Sequence, residues 1–192
     1  MLLQRVFVDA NVLVSRTQRD WLFQLRLHTD GMFQVHTTED VLAEALSSLR
    51  NLKPDMPGGR VTSLMGALRD NIDELVGEFD TSVPYAGADP DDLHVHAAAV
   101  ASGANVLLTG DHGFAPTDTD PYEVYSCDEF FSLIDDSAPH LVRRTVHTVN
   151  QYWSKQSSGR RKTLVRALED ADCPTFAPRV HQHLKALSGA RR

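Results

Sequence analysis

The stretch Val6-Phe7-Val8-Asp9-Ala10-Asn11 decides the fold. Its apolar residues follow Arg5 without polar alternation, as in a strand covered on both faces. The run then stops on a carboxylate. A second stretch repeats the design: Ala104-Asn105-Val106-Leu107-Leu108-Thr109-Gly110-Asp111 is again an unalternating apolar run closed by an acid. Arg5 to Asp9 reads as a buried strand, and Asn11 to Val14 as the turn after it.

Between these strands the chain alternates helix and strand patterns. Ser15 or Thr17 offers a cap to a helix carrying Trp21, Leu22, Leu25 and Leu27, which Gly31 ends. Phe33 to Thr37 alternates as a short strand. Thr38, followed by Glu39 and Asp40, supplies an N-cap and an acidic first turn. The helix it opens turns Val41, Leu42, Ala45, Leu46 and Leu49 inward. The leucine spacing predicts a further helix over 61–76. A loop rich in Pro, Gly and Asp leads to Asp91-Asp92, which open the alanine-rich helix from Leu93 to Ser102. Gly103 stands where a C-cap glycine belongs. Tyr122 to Tyr125 reads as a last strand, and Asp128 as the cap of a short helix with Phe130, Phe131, Leu133 and Ile134. Alternation of this kind implies a parallel sheet with helices on both sides. Three helical stretches follow, over 140–153, 163–170 and 180–187, joined by the flexible Gln156-Ser157-Ser158-Gly159 and by Pro174 and Pro178.

Charge divides the chain near Asp136. Residues 1–136 hold 8 Lys+Arg against 23 Asp+Glu, and residues 137–192 hold 11 against 3. The expected organisation is therefore a domain over 1–136 and a basic helical extension over 137–192. The extension suits either contact with phosphates or packing against the acidic body. No run approaches the ~20 apolar residues of a membrane span, and the N-terminus lacks the pattern of a secretory signal. Cys127 and Cys173 form no disulfide framework and have no metal spacing. A reduced, cytoplasmic protein is expected.

Four acids mark the ends or first turns of four elements: Asp9, Glu44, Asp92 and Asp111. In an open α/β sheet, carboxyl ends of strands and neighbouring helices converge on one crevice. Four carboxylates there repel one another unless a cation lies among them. Oxygen-only ligands suit hard ions such as Mg²⁺ or Mn²⁺. The pattern points to a metal-dependent phosphodiesterase. Singly, each acid has a plainer reading as a cap, a turn residue or a solvated helix residue; the case rests on all four together.

These residues resemble a known family. Val6-Phe7-Val8-Asp9-Ala10-Asn11 is similar to the first strand of PIN-domain ribonucleases. Val41-Leu42-Ala43-Glu44-Ala45-Leu46 is similar to the segment bearing their second acid. Asp89-Pro90-Asp91-Asp92 running into Ala97-Ala98-Ala99 resembles the helix of the third, and Ala104 to Asp111 the strand of the fourth. The resemblance covers roughly residues 1–136 and is nearest to the VapC-like toxins of bacterial toxin–antitoxin pairs. It implies a three-layer α/β/α fold with a central parallel sheet. It also implies an Mg²⁺- or Mn²⁺-dependent endoribonuclease that leaves 5′-phosphate and 3′-hydroxyl ends. Asp9, Glu44, Asp92 and Asp111 would be ligands, with one or two ions. Asn11, Thr109 and Asp91 would orient them, Asp92 being preferred to Asp91 as the third ligand. The implied partners are RNA, a small antitoxin and a second copy of the chain. The alternative is a catalytically silent PIN-like protein that binds RNA or a partner. The chain departs from many relatives after the fourth acid, where His112, Gly113 and Phe114 stand.

Other chemistries fit less well. A haloacid-type phosphatase needs an Asp where Asn11 stands, and a receiver domain needs a late Lys, yet none lies between Lys53 and Lys155. His94 and His96 flank the same helix start, and Asp92 and His96 share a face at i, i+4, which suits zinc, but one helix supplies only two ligands and no other His completes a site. Trp21 and Leu22 offer either core packing or an apolar docking surface. Tyr152, Trp153 and Arg160-Arg161-Lys162 offer either RNA contacts or helix anchoring.

Overall fold

The structure, a computed structural model, describes residues 4–87, 89–111, 114, 120–155 and 162–189. They fall into two compact units. One comprises residues 1–16 and 32–126, the other residues 17–31 and 127–192. Packing thus groups the segments differently from the charge step at Asp136.

The first unit is built on five parallel strands: β1 (Gln4–Val8), β2 (Phe33–Thr37), β3 (Glu74–Leu75), β4 (Val106–Leu108) and β5 (Glu123–Tyr125). Their order is β3-β2-β1-β4-β5. Val6 pairs with Val35 on one side and with Val106 on the other. The unalternating strands are central: Val6, Phe7, Val8, Leu107 and Leu108 are all buried. The helices of this unit are α1 (Ala10–Val14), α3 (Glu39–Leu52), α4 (Gly58–Asn71) and α5 (Leu93–Ala101), the last entered by a 3₁₀ turn at Pro90–Asp92. From β1 the chain steps outward to β2 and β3, then returns past β1 to β4 and β5. The connection through α3 and α4 runs toward one edge of the sheet and that through α5 toward the other, so the right-handed rule for parallel crossovers requires opposite faces for them. The result is the expected α/β/α layering. The strand order reverses between β1 and β4, which makes their carboxyl ends the switch point where such sheets bind ligands.

Local rules explain most elements. Thr38 caps α3, its hydroxyl accepting from Val41 N at 3.1 Å. Gly103 turns the chain out of α5 at φ +62°, a backbone angle that suits glycine.

Three expectations are corrected. Asn11 to Val14 is the helix α1 rather than a turn, because the Asp9 carboxylate caps it by accepting from Ala10 N at 2.6 Å. The helix expected over 61–76 ends at Asn71. Asp73 then bonds the backbone of Val35 twice, through its own N–H and through its carboxylate, each at 2.8 Å. That tertiary pairing draws the chain into β3 despite the helical leucine spacing. Asp128 does not cap its own helix, as the next unit shows.

The second unit is helical: α2 (Arg16–His28), α6 (Cys127–Ser137), α7 (Pro139–Lys155), α8 (Leu164–Glu169) and α9 (Phe176–Gly189). Trp21 and Leu22 are core residues here, not a docking surface. Trp21 meets the Phe176 ring edge-on at 5.2 Å, and Leu22 is fully buried. Phe131 meets the same ring at 5.4 Å. Asp128 accepts from Thr175 N at 2.9 and 3.1 Å and from Phe176 N at 2.7 Å, so it caps α9 from another helix. His183 pairs with Asp135 at 2.6 Å inside the unit. Three basic residues of the extension meet acids here: Arg179 bonds Asp135 and Asp136, Arg166 pairs with Glu169 and Asp170, and Lys162 bonds Asp170. Tyr152 is exposed rather than an anchor. The linker 156–159, Arg160, Arg161, His112 and Asp118 lie outside the described residues. Among the described residues, no helix is long and apolar enough to cross a membrane.

Candidate functional site

The switch point of the first unit opens into a cleft of about 620 Å³. Asp9 comes from the end of β1, Asp111 from just beyond β4, Glu44 from α3 and Asp92 from the turn into α5. All four line the cleft, together with Asn11, Asp40, Asp89, Asp91 and His94. The first unit carries 6 Lys+Arg against 17 Asp+Glu, and this cleft gathers much of the excess.

Asp9 is the most enclosed, at 7% exposure. Besides capping α1, it accepts from Asn11 Nδ2 at 2.7 Å and from the Thr109 hydroxyl at 2.7 Å. Asn11 also donates to Thr109 Oγ1 at 2.9 Å and accepts from Gly110 N at 2.8 Å. Thr109 Oγ1 accepts from Asp111 N at 3.0 Å. One net of bonds therefore ties the β1 acid to the segment bearing Asp111, and Asn11 and Thr109 are its knots. Both small polar side chains fix carboxylate orientation without adding charge.

The third position is sharply differentiated. Asp89, not Asp91, caps the 3₁₀ turn, accepting from Asp91 N at 2.9 Å. Asp91 gives its carbonyl oxygen to His94 Nδ1 at 2.7 Å. Asp92 accepts from the Tyr85 hydroxyl at 3.2 Å. Sequence reading missed Tyr85. It lies in a Pro- and Gly-rich loop, where nothing marks one aromatic as reaching a helix start 7 residues on. It missed Asp40 too, which looked like an ordinary first-turn acid. His96 does not join the cleft. It is buried, shares a 2.5 Å hydrogen bond with the Tyr122 hydroxyl and packs against the Tyr85 ring. That removes the Asp92–His96 zinc pair.

Electrostatics follow from this crowding. Burial pushes the Asp9 carboxyl above its ordinary range; Thr109 and Ala10 pull it back, and Asp111 adds to the rise. Glu44, half exposed, is raised by partial burial and then by the charge of Asp9. Asp92 is raised by burial, eased by Tyr85, and raised again by Asp111, Asp89 and Asp9. The Tyr85 hydroxyl is pushed up to about 12 by burial and by Asp92, so it stays a donor. Asp9, Glu44 and Asp92 thus resist their charge, first because burial removes water from them and then because other carboxylates share the cleft.

No group of three or more His, Cys, Asp or Glu side chains among the described residues already stands in a metal-holding arrangement. The donor chemistry fits a divalent cation all the same. The set is rich in carboxylate oxygens, its charges disfavour one another, and a +2 ion reverses that penalty.

The first unit is thus a parallel α/β domain with an acidic cleft at its switch point. The PIN-domain family model matches residues 5–113, more than half of the chain, and the chain belongs to that family. The matched segment runs from β1 to just past Asp111 and so contains all four acids. The family is one of nucleases. No curated protein and no solved structure matches the chain.

Proposed function

We propose that this protein is a divalent-metal-dependent endoribonuclease and the toxin of a type II toxin–antitoxin pair. One observation carries the nuclease reading: Asp9, Glu44, Asp92 and Asp111, from four separate elements, line one cleft at the sheet's switch point. In this reading the four acids hold Mg²⁺ or Mn²⁺. When bound, such an ion polarises the phosphodiester and lowers the pKa of water. The residues supply the rest. Asp9 is held in one orientation by Asn11 and Thr109, and Asp92 by Tyr85. Their preset geometry keeps the reorganisation cost of catalysis low. The raised carboxyl pKa values of Asp9, Glu44 and Asp92 support cation binding, since a cation offsets the cost of burying these charges beside one another.

RNA as substrate, a small antitoxin partner, homodimerisation and a cytoplasmic setting belong to the same proposal. Their support is the resemblance to VapC-like toxins and, for the setting, two free buried cysteines. The test is cleavage of total cellular RNA by purified protein with Mg²⁺ or Mn²⁺, then with EDTA, beside Asp9→Asn. Metal-dependent products that vanish in the variant support the reading, and their ends identify the cleavage site. Intact RNA with both metals would make the chain a PIN-fold binding protein. Co-expression of a neighbouring small open reading frame that relieves growth arrest tests the toxin assignment.

A further inference from the structure

His94 is the one imidazole among the described residues that line the cleft. Its setting is specific. The Asp91 carbonyl can only accept, so the 2.7 Å contact places a proton on Nδ1. The carbonyl itself is aimed by the 3₁₀ turn that Asp89 caps. The other nitrogen, Nε2, stands 3.8 Å from Glu44 Oε2. The imidazole is about one-third exposed, as a group at a cleft wall should be. An imidazole whose Nδ1–H is held by a backbone carbonyl is the arrangement found behind metal-ligating histidines: the second bond fixes tautomer and ring plane and leaves the Nε2 lone pair for the ion.

We propose that His94 Nε2 is a metal ligand of the acid cleft, beside Glu44, and that the site therefore holds a first-row transition dication such as Mn²⁺ more tightly than Mg²⁺. The inference rests on the metal-dependent reading above and adds a nitrogen donor to it. An all-oxygen set discriminates weakly between these ions. Imidazole binds transition dications well and Mg²⁺ poorly, so one nitrogen changes the preference. A neutral ligand also adds no charge to the acids around it. His96, two residues on, is committed to Tyr122 and does not compete.

The test uses the full chain and Mn²⁺ alone, read by electron paramagnetic resonance with electron spin-echo envelope modulation. Bound Mn²⁺ is expected to show ¹⁴N modulation from a coordinated imidazole, replaced by the ¹⁵N pattern in protein grown on ¹⁵N-histidine. His94→Gln should lose the modulation and bind Mn²⁺ about tenfold or more weakly, with Mg²⁺ affinity nearly unchanged. His112→Gln is the control, because that imidazole follows Asp111 in the chain; loss of modulation there instead would overturn the assignment to His94. Bound Mn²⁺ without nitrogen modulation would overturn it as well, while leaving the acid site intact. Absence of Mn²⁺ binding in the wild-type chain would overturn both readings. The isotope exchange in wild-type protein keeps the test decisive if His94→Gln fails to fold.

Discussion

Asp9 serves two masters. One oxygen caps α1 through Ala10 N, and the other takes bonds from Asn11 and Thr109. In Asp9→Asn the new amide must face either Ala10 N–H or the Asn11 amide. Relief of carboxylate repulsion is then offset by a lost hydrogen bond of about 1 kcal/mol. We expect the variant to melt within a few degrees of wild type, yet to lose RNA cleavage and any stabilisation by added Mn²⁺. A collapse of the melting temperature would show that Asp9 is chiefly structural. Away from the cleft, His36 in β2 is buried, and its Nδ1 has no hydrogen-bond partner among the described residues, the Glu74 carboxylate standing 3.7 Å away. Burial lowers its pKa below the ordinary 6.5, with Glu74 opposing. The folded chain thus keeps His36 neutral while the unfolded chain takes up a proton below 6.5. The stability involved is present above that pH and is lost as pH falls toward the lowered folded value. His36→Leu should therefore raise the melting temperature more at pH 5.5 than at pH 8. An equal gain at both would mean that packing alone is responsible.

Elements show what the sequence carried and what it did not. The strands of β1 and β4, the Thr38 cap and the Gly103 stop were legible because each rests on residues within a few positions of one another. The end of α4 was not: Leu64, Leu68, Ile72 and Leu75 keep helical spacing to the end, and only pairing of Asp73 with Val35, 38 residues away, overrides it. Asp128 failed for the same reason. It has the right residue type for a cap but lies inside the first turn of α6, which begins at Cys127, and its carboxylate is taken by the start of α9, 48 residues on. Asp9, Asp92 and Asp111 were legible as carboxylates at strand ends and a helix start, whereas Glu44 lies in the second turn of α3 rather than the first, and Tyr85 reaches Asp92 only through the folded loop. A substitution tests the cap that Asp128 supplies to α9. Asp128→Ala should cost about 2 kcal/mol by uncapping α9, seen as a lower denaturation midpoint and as faster amide exchange at Thr175 and Phe176. Unchanged exchange there would show the cap to be idle.

At the scale of the whole molecule, the helical unit sets a limit on dissection. A chain cut after Asp136 keeps Trp21 and Phe131 but loses Phe176, the ring both pack against. We expect that fragment to aggregate or bind hydrophobic dyes; a monodisperse fragment would show that α2 and α6 need no partner. The electrostatic role of the extension is better asked in the full chain. Arg144 is exposed on α7. If it meets RNA phosphate, Arg144→Glu should weaken binding more at low salt and lower the salt slope by about one. Equal affinity at all salt concentrations would assign the basic helices to internal pairing, as Arg179 with Asp136 already exemplifies.

The helical unit draws its first helix from residues 17–31 and the remainder from 127–192, and this dictates an order of events during translation. Trp21 leaves the ribosome long before Phe176. At about 5–20 residues per second the interval is roughly 8–30 s. The strands and acids of the cleft are all synthesised by residue 126, so the cleft-bearing unit has its full complement while the nascent chain is still tethered and α2 still waits for its partners. Arrested nascent chains of increasing length, probed by brief proteolysis, should show protection of residues 32–126 before protection of residues 17–31. Simultaneous protection would mean that the two units fold as one.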